Sequence, residues 1–375
     1  MKILLTGGGS GGHFYPIIAV AEALREIAKE ERLFNLELYF MSDRAYSRQI
    51  LFEQDIIFKK VSAGKRRLYF SPRNIIDLFK TAIGVLKAIF EMYKIFPDVV
   101  FGKGGYASFP ALFAAKTLKV PVLIHESDST PGRVNIWAAE FARGIAVSFP
   151  SAADYFPKEK VVYTGNPIRK AIQAVSPEGA YELLNLEKYV PVVFILGGSL
   201  GAEIINDVII DALPELVKKY QVIHQTGIAN FKIVSDTAIL NLMDHSNKNR
   251  YHPFEYLNDL KLKAAAGVAD VIISRAGSTI FEIALWGKPS IIIPITESHD
   301  DHQRRNAFNY ARSGAATVIE ENNLAANVLL SEIDRIINNS VEREKMAAAA
   351  KNFAHANAAE KIAKELIAIA LEHET

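Results

Sequence analysis

The 375-residue chain contains no cysteine, which removes disulfide frameworks and thiolate chemistry from consideration. It has almost no charge imbalance. A formal net charge of +1 lacks the basic excess of a nucleic-acid binder. Long hydrophobic runs are missing as well. Ile3 to Ala21 carries no Lys, Arg, Asp or Glu, but five glycines with Thr6, Ser10 and His13 interrupt it. It therefore reads as strand, turn and helix, and no other uncharged stretch is long enough to cross a bilayer. A soluble, cytoplasmic protein is expected. Gly-x-x-x-x-Gly-Lys-Ser/Thr is absent, which excludes a P-loop at the glycine turns. No Asp-x-Asp pair of the metal-dependent sugar-transferase kind occurs, and no metal or cofactor site is expected.

What is present is apolar and regularly spaced. Half of the chain is hydrophobic and 23% is charged, enough for about two domains with substantial cores. Short β-rich runs alternate with longer amphipathic ones, the signature of βαβ units and parallel sheets. In the first half, strands are expected at 2–6, 36–41, 58–61, 98–101, 120–125, 144–147 and 161–163. In the second half they fall at 190–196, 220–225, 271–274 and 290–294. Thr164-Gly165-Asn166-Pro167 reads as the turn that closes the first half. The division expected is 1–165, 166–345 and a helical tail, 346–375, able to pack back on the first domain. The fold class is α/β, with two Rossmann-like, doubly wound domains facing a cleft and ligand sites at the carboxyl ends of the strands.

Two glycine turns dominate the pattern. Gly7-Gly8-Gly9-Ser10-Gly11-Gly12-His13 follows the first strand, and Gly197-Gly198-Ser199-Leu200-Gly201-Ala202 follows the strand that opens the second half. Glycine lets a ligand approach the backbone N–H groups closely, and the helix start behind it offers unpaired donors and partial positive charge. Neither turn is followed by an acidic residue at the dinucleotide-ribose spacing. A single turn of this kind reads better as a tight strand-to-helix connection. Two at equivalent places favour phosphate or sugar binding, and Gly102-Lys103-Gly104-Gly105-Tyr106 adds a third.

The ordered motifs are more specific. Gly7–His13, Gly104-Gly105-Tyr106 with Pro110, and His125-Glu126 with Pro131-Gly132 form one set. Thr164–Arg169, Gly197-Gly198-Ser199, Ser274-Arg275-Ala276-Gly277 with Glu282, and His302-Gln303 with Asn306-Ala307 form the other. In this order they closely resemble the MurG family of N-acetylglucosaminyltransferases across nearly the whole chain. The resemblance implies the two-Rossmann glycosyltransferase fold known as GT-B. It also implies transfer of N-acetylglucosamine from UDP-N-acetylglucosamine to the muramoyl 4-hydroxyl of undecaprenyl-diphosphate-linked lipid I, with inversion, giving lipid II. Donor contacts carry over to Ser10, Gly11, Gly12, Arg169, Gly198, Ser199, Leu257, Thr279, Glu282 and Gln303. Among these, Ser199 and Arg169 face the diphosphate, Glu282 the ribose hydroxyls, Gln303 the sugar, and Leu257 or its neighbours the uracil. Gly104, Gly105 and His125 carry over to the acceptor side, and Asp128, Tyr106 and Asn306 to either substrate. Alone, Glu282 would read as a solvated helix charge and Ser199 as an ordinary N-cap. Rival readings are a related transferase with another lipid acceptor and a nucleotide-sugar binder without turnover.

The chemistry needs a base for the attacking hydroxyl and stabilisation of the departing diphosphate. His13, closing the first glycine turn, is expected to be the base or to orient the acceptor, since imidazole titrates near neutrality. Three positions depart from the family pattern. Ser10 stands for threonine, Asp128 for the amide of His-Glu-Gln-Asn, and Leu200 for the glutamine of Gly-Gly-Ser-Gln-Gly.

A lipid acceptor has to be met at a bilayer. Between Lys59 and Lys94 nine Lys or Arg stand against two acids, Asp77 and Glu91. Lys65-Arg66-Arg67-Leu68-Tyr69-Phe70 places cations beside aromatics and is expected to attach the protein peripherally to the inner, cytoplasmic face of the membrane. In the helix that follows, the stripe Ile75, Ile76, Phe79, Ile83, Leu86, Phe90 and Tyr93 is expected to pack on its own sheet.

Overall fold

The computed structural model describes all residues but Phe34, 65–72, 199–200, 297–300 and Thr375. Two compact units form, one from Met1–Arg169 with His355–Thr375, the other from Lys170–Ala354.

In the first unit seven strands make one sheet in the order β3-β2-β1-β4-β5-β6-β7. These are β1 (Lys2–Thr6), β2 (Glu37–Ser42), β3 (Ile56–Lys60), β4 (Val99–Gly102), β5 (Val122–Glu126), β6 (Gly144–Val147) and β7 (Val161–Tyr163). Every neighbouring pair runs parallel. A parallel sheet is covered on both faces, so its central strands read as unbroken apolar runs such as Ile3-Leu4-Leu5 and Val99-Val100-Phe101. The helices are α1 (Gly11–Glu30), α2 (Arg48–Glu53), α3 (Arg73–Ile95), α4 (Phe109–Leu118) and α5 (Arg133–Ala139).

The second unit repeats the arrangement with six parallel strands, in the order β10-β9-β8-β11-β12-β13. They are β8 (Val192–Leu196), β9 (Gln221–Gln225), β10 (Tyr251–Phe254), β11 (Val271–Ser274), β12 (Ser290–Ile292) and β13 (Ala316–Val318). Its helices are α6 (Lys170–Gln173), α7 (Ala180–Leu183), α8 (Glu203–Lys219), α9 (Phe231–Asn241), α10 (Asp259–Val268), α11 (Thr279–Trp286), α12 (His302–Ala311), α13 (Ala326–Ile337) and α14 (Ser340–Phe353). One joint is the same in both units. The first N–H of the opening strand donates to the aspartate that precedes the fourth strand: Lys2 to Asp98 at 2.6 Å, and Val192 to Asp270 at 2.9 Å.

The last helix, α15 (Ala358–Glu374), belongs to the first unit. Its Ile362, Leu366, Ile367 and Ala370 join the core built by Phe14, Ile17 and Leu24 of α1.

One expectation is corrected. The apolar stripe of α3 does not pack on the sheet. Gly84, Ala88, Met92 and Ile95 form the buried side of that helix, whereas Phe79, Leu86 and Phe90 are 66%, 70% and 57% exposed. Gly84 lies against the Ser62 backbone and α3 packs beside α4, so the bulky stripe turns to solvent. The basic-aromatic loop 65–70 lies outside the described residues.

Candidate active site

In a doubly wound sheet, ligands bind beyond the carboxyl ends of the strands where the order reverses. In the first unit that point lies between β1 and β4, and both are followed by glycine turns. The turns touch. A Cβ placed on Gly105 would sit 3.1 Å from Gly8 Cα and 3.4 Å from His13 Nε2, and Gly105 has φ +80°. Only glycine meets both demands. Ser10 is the N-cap of α1, and its side chain makes no capping hydrogen bond. The first turn of α1 also contains no acidic residue, so its N–H donors are not opposed by a local carboxylate.

His13 lies in this first turn, and its Nδ1 is 3.3 Å from the carbonyl oxygen of Lys103. A carbonyl only accepts, so Nδ1 carries the hydrogen and Nε2 is the nitrogen left to take a proton. Tyr106, just past the third glycine turn, donates its hydroxyl to Asp43 at 2.9 Å. Arg169 is almost buried and stacks its guanidinium 4.1 Å over the Tyr15 ring of α1. The structure thus sets Arg169 beside the first glycine helix, in the first unit.

At the end of β5 the polar groups go inside. His125 is fully buried, with Nε2 3.0 Å from the Gly165 carbonyl and 3.1 Å from Ser148 Oγ. Burial, then the nearby Lys103 charge, hold it neutral, well below the usual imidazole range. Its ring therefore braces the ends of β5, β6 and β7 and is enclosed by protein. Glu126 accepts from the Asp128 and Gly132 backbone N–H groups and from Asn135 Nδ2. Asp128 sits on the loop so held.

The second unit's reversal lies between β8 and β11. Gly198 and Gly201 have φ +77° and +79°, and a Cβ on Gly201 would meet the Thr226 carbonyl at 2.4 Å. Helix α8 begins at Glu203, one residue beyond the turn, and Ser199 lies outside the described residues. Beyond β11, Gly277 faces open space, and Thr279 and Glu282 follow on one side of α11, both half-buried. The Asn306 amide donates to the Ala276 carbonyl at 3.2 Å and so ties α12 to the same turn. Gln303 Oε1 accepts from the Ile295 N–H at 3.2 Å. Arg275 extends the frame, donating to the Ile293 carbonyl and pairing with Glu321 at 2.6 Å. Leu257 is buried and gives its N–H to Gln225 Oε1 at 3.0 Å, so backbone contact to a base would come from a carbonyl or a neighbouring residue.

Two family models fit this chain. The glycosyltransferase family 28 N-terminal domain matches residues 3–147, and the family 28 C-terminal domain matches residues 192–365. The chain belongs to glycosyltransferase family 28. A Bacillus cereus relative named UDP-N-acetylglucosamine--N-acetylmuramyl-(pentapeptide) pyrophosphoryl-undecaprenol N-acetylglucosamine transferase 2 is 38% identical over 94% of this chain and 95% of its own. A Clostridium novyi transferase of the same name, without the numeral, is 36% identical over 89% and 90%. Among solved structures, Acinetobacter baumannii MurG aligns with TM-score 0.73 at 24% identity, covering 98% of this chain and 99% of that one. The Neisseria meningitidis UDP-GlcNAc 2-epimerase bound to UDP-GlcNAc aligns with TM-score 0.68 at 16% identity, covering 98% and 100%. At these identities both share the fold.

In this family 28 chain the first set of motifs and Thr164–Arg169 of the second lie in the first unit, and the rest of the second set lies in the second unit. Sequence reasoning passed over three residues of the first site: Lys103, Glu126 and Asn135. The motif His125-Glu126 was visible, but only the side-chain contacts reveal that Glu126 is the hub of its loop. For Lys103 the sole signal was a lysine placed between glycines.

Proposed function

We propose that the chain transfers N-acetylglucosamine from UDP-N-acetylglucosamine to the 4-hydroxyl of the muramoyl sugar of lipid I, inverting the anomeric centre and releasing UDP. The observation that carries this reading is the 38% identity to a transferase of that name over 94% of the chain. Glycine turns at both reversal points support it, as does the tautomer that Lys103 imposes on His13. In this reading His13 Nε2 takes the proton of the attacking hydroxyl. The second glycine turn offsets the charge of the departing diphosphate. Glu282, a carboxylate with two acceptor oxygens, receives the ribose hydroxyls, and Gln303 receives those of the sugar. The reading needs no metal or cofactor.

Lipid I resides in a membrane, and the exposed stripe on α3 suits attachment to the inner leaflet. Among the described residues no helix is long and apolar enough to cross a bilayer, so a surface contact is the relevant kind. Lys80, Lys87 and Lys94 are exposed on the same helix, and Lys94 lies 4.2 Å over the Phe90 ring. Apolar bulk flanked by cations matches acyl chains beneath anionic headgroups.

The direct test supplies labelled UDP-N-acetylglucosamine and a short-chain lipid I analogue, with UDP-galactose and diacylglycerol as rivals. Label transferred to the lipid I analogue alone, with one UDP released per transfer, is the expected result. Transfer to another acceptor, or binding without turnover, would overturn the proposal.

A further inference from the structure

Lys103, just past β4, is only 1% exposed, and its ammonium nitrogen is buried without a hydrogen-bond partner. Burying an ammonium is costly unless nearby charge compensates it. The charges that act on it are the carboxylates of Glu126 and Asp128, on the end of β5 and the loop beyond. The other titratable groups facing the cluster are His125 on β5 and His13 on α1. His125 is held neutral, so it does not stand in for the charge of Lys103.

Glu126 in turn shapes its surroundings. It accepts three N–H groups, from Asp128 at 2.9 Å, Gly132 at 3.0 Å and Asn135 Nδ2 at 2.8 Å. A carboxylate is acceptor-only and suits that arrangement, whereas a carboxylic acid would set an O–H donor among donors. The Asn135 amide also donates to the His125 carbonyl at 3.1 Å. A Cβ on Gly104 would lie 2.8 Å from Asn135 Nδ2, so the amide rests directly on the third glycine turn.

We propose that Lys103 is a positioning residue of the acceptor side. Its buried ammonium is the counter-charge that works with three N–H donors to keep Glu126 a carboxylate, and that carboxylate holds the loop 127–132 against the third glycine turn. Lys103 thus serves twice, because its carbonyl orients His13 while its side chain sustains the loop. Electrostatics agree. Burial, then the Asp128 charge, push Glu126 up to about 7; hydrogen bonds from the Asp128 N–H and from Asn135, and then the Lys103 charge, oppose them. Burial lowers Lys103 to about 8. Near neutral pH both groups are poised, so removing the cation shifts Glu126 toward its acid form.

The inference rests on the proposed function for its link to the acceptor, and the test separates the two. Lys103→Met, Glu126→Gln and Asp128→Asn are assayed singly and in pairs for kcat/KM toward the lipid I analogue between pH 5.5 and 9. Lys103→Met should move the acid limb up by about 0.3 pH unit, lowering kcat/KM about twofold at the foot of the limb. Adding Asp128→Asn, which removes the like charge, should bring the limb back, and Asp128→Asn alone should move it down. In the Glu126→Gln background, Lys103→Met should leave the limb in place. A limb that does not move, or that moves equally without Glu126, overturns the inference, the latter because His13 would then be the group affected.

Thermal melting gives a second reading that needs no turnover. A carboxyl whose folded pKa is raised loses stability as pH climbs from its unfolded value to its folded one. Lys103→Met extends that window upward. Its melting temperature should therefore fall further behind wild type from pH 6 to pH 8, and the gap should widen less in the Glu126→Gln background, where only the titration of Lys103 itself remains. A gap that changes equally in both backgrounds refutes the role. A wild-type protein without turnover would defeat the proposed function and leave this measurement to decide the inference.

Discussion

The exposed side of α3 permits a worked prediction. Phe79, Leu86 and Phe90 are exposed by 66%, 70% and 57%, so roughly two thirds of each side chain remains to be covered by acyl chains. Full burial of a Phe or Leu side chain is worth about 2 kcal/mol. The uncovered parts of the three together are thus worth about 4 kcal/mol, or about a thousandfold in partitioning. Changing all three to Ser should lower binding to vesicles by about that factor, read by flotation at equal lipid. The melting temperature should hold or rise, because these side chains leave water only at the membrane. Reversing Lys80, Lys87 and Lys94 to Glu should weaken binding only to anionic vesicles, by about 1 kcal/mol per cation removed, and the effect should fade in salt. If the triple Ser variant floats as well as wild type, the stripe does not contact lipid and the reasoning fails.

Three shorter predictions concern the two reversal points. His13→Ala should reduce kcat by about 10²- to 10⁴-fold with both substrates saturating; kcat within a few fold of wild type removes the base role. Glu282→Ala should raise KM for UDP-N-acetylglucosamine by roughly tenfold or more while leaving the melting temperature almost unchanged, a pairing that steady-state kinetics and calorimetry check together. Gly105→Ala, at φ +80° with Gly8 Cα 3.1 Å away, should cost about 1–3 kcal/mol of stability and displace His13. A variant as stable and active as wild type would refute the close contact.

Much of this architecture was legible because parallel strands are short, apolar and bounded by turns. Four expected strands, 2–6, 144–147, 161–163 and 271–274, coincide with those observed. The strands passed over are both at sheet edges. β10 carries Pro253 and is only half-buried, and β13 is three residues long; neither shows the continuous apolar run of a central strand. For α3, a periodic stripe states which residues share a face. It does not state whether that face meets a sheet or water. The small residues at 84 and 88 were the clue to its packed side. Buried charge was the least legible feature. Lys103 stands in a turn, where lysine ordinarily reaches solvent, and only the neighbouring strand ends enclose it.

The helix that returns to the first unit sets an order of events during synthesis. Ile362, Leu366 and Ala370, with their neighbours on α15, complete a core whose remaining members lie before residue 150, yet 170–354 must leave the ribosome before they do. The nascent amino-terminal sheet therefore waits with one side of α1 uncovered while its companion is made. Folding cannot conclude in the order of translation, and chaperones have that interval in which to act.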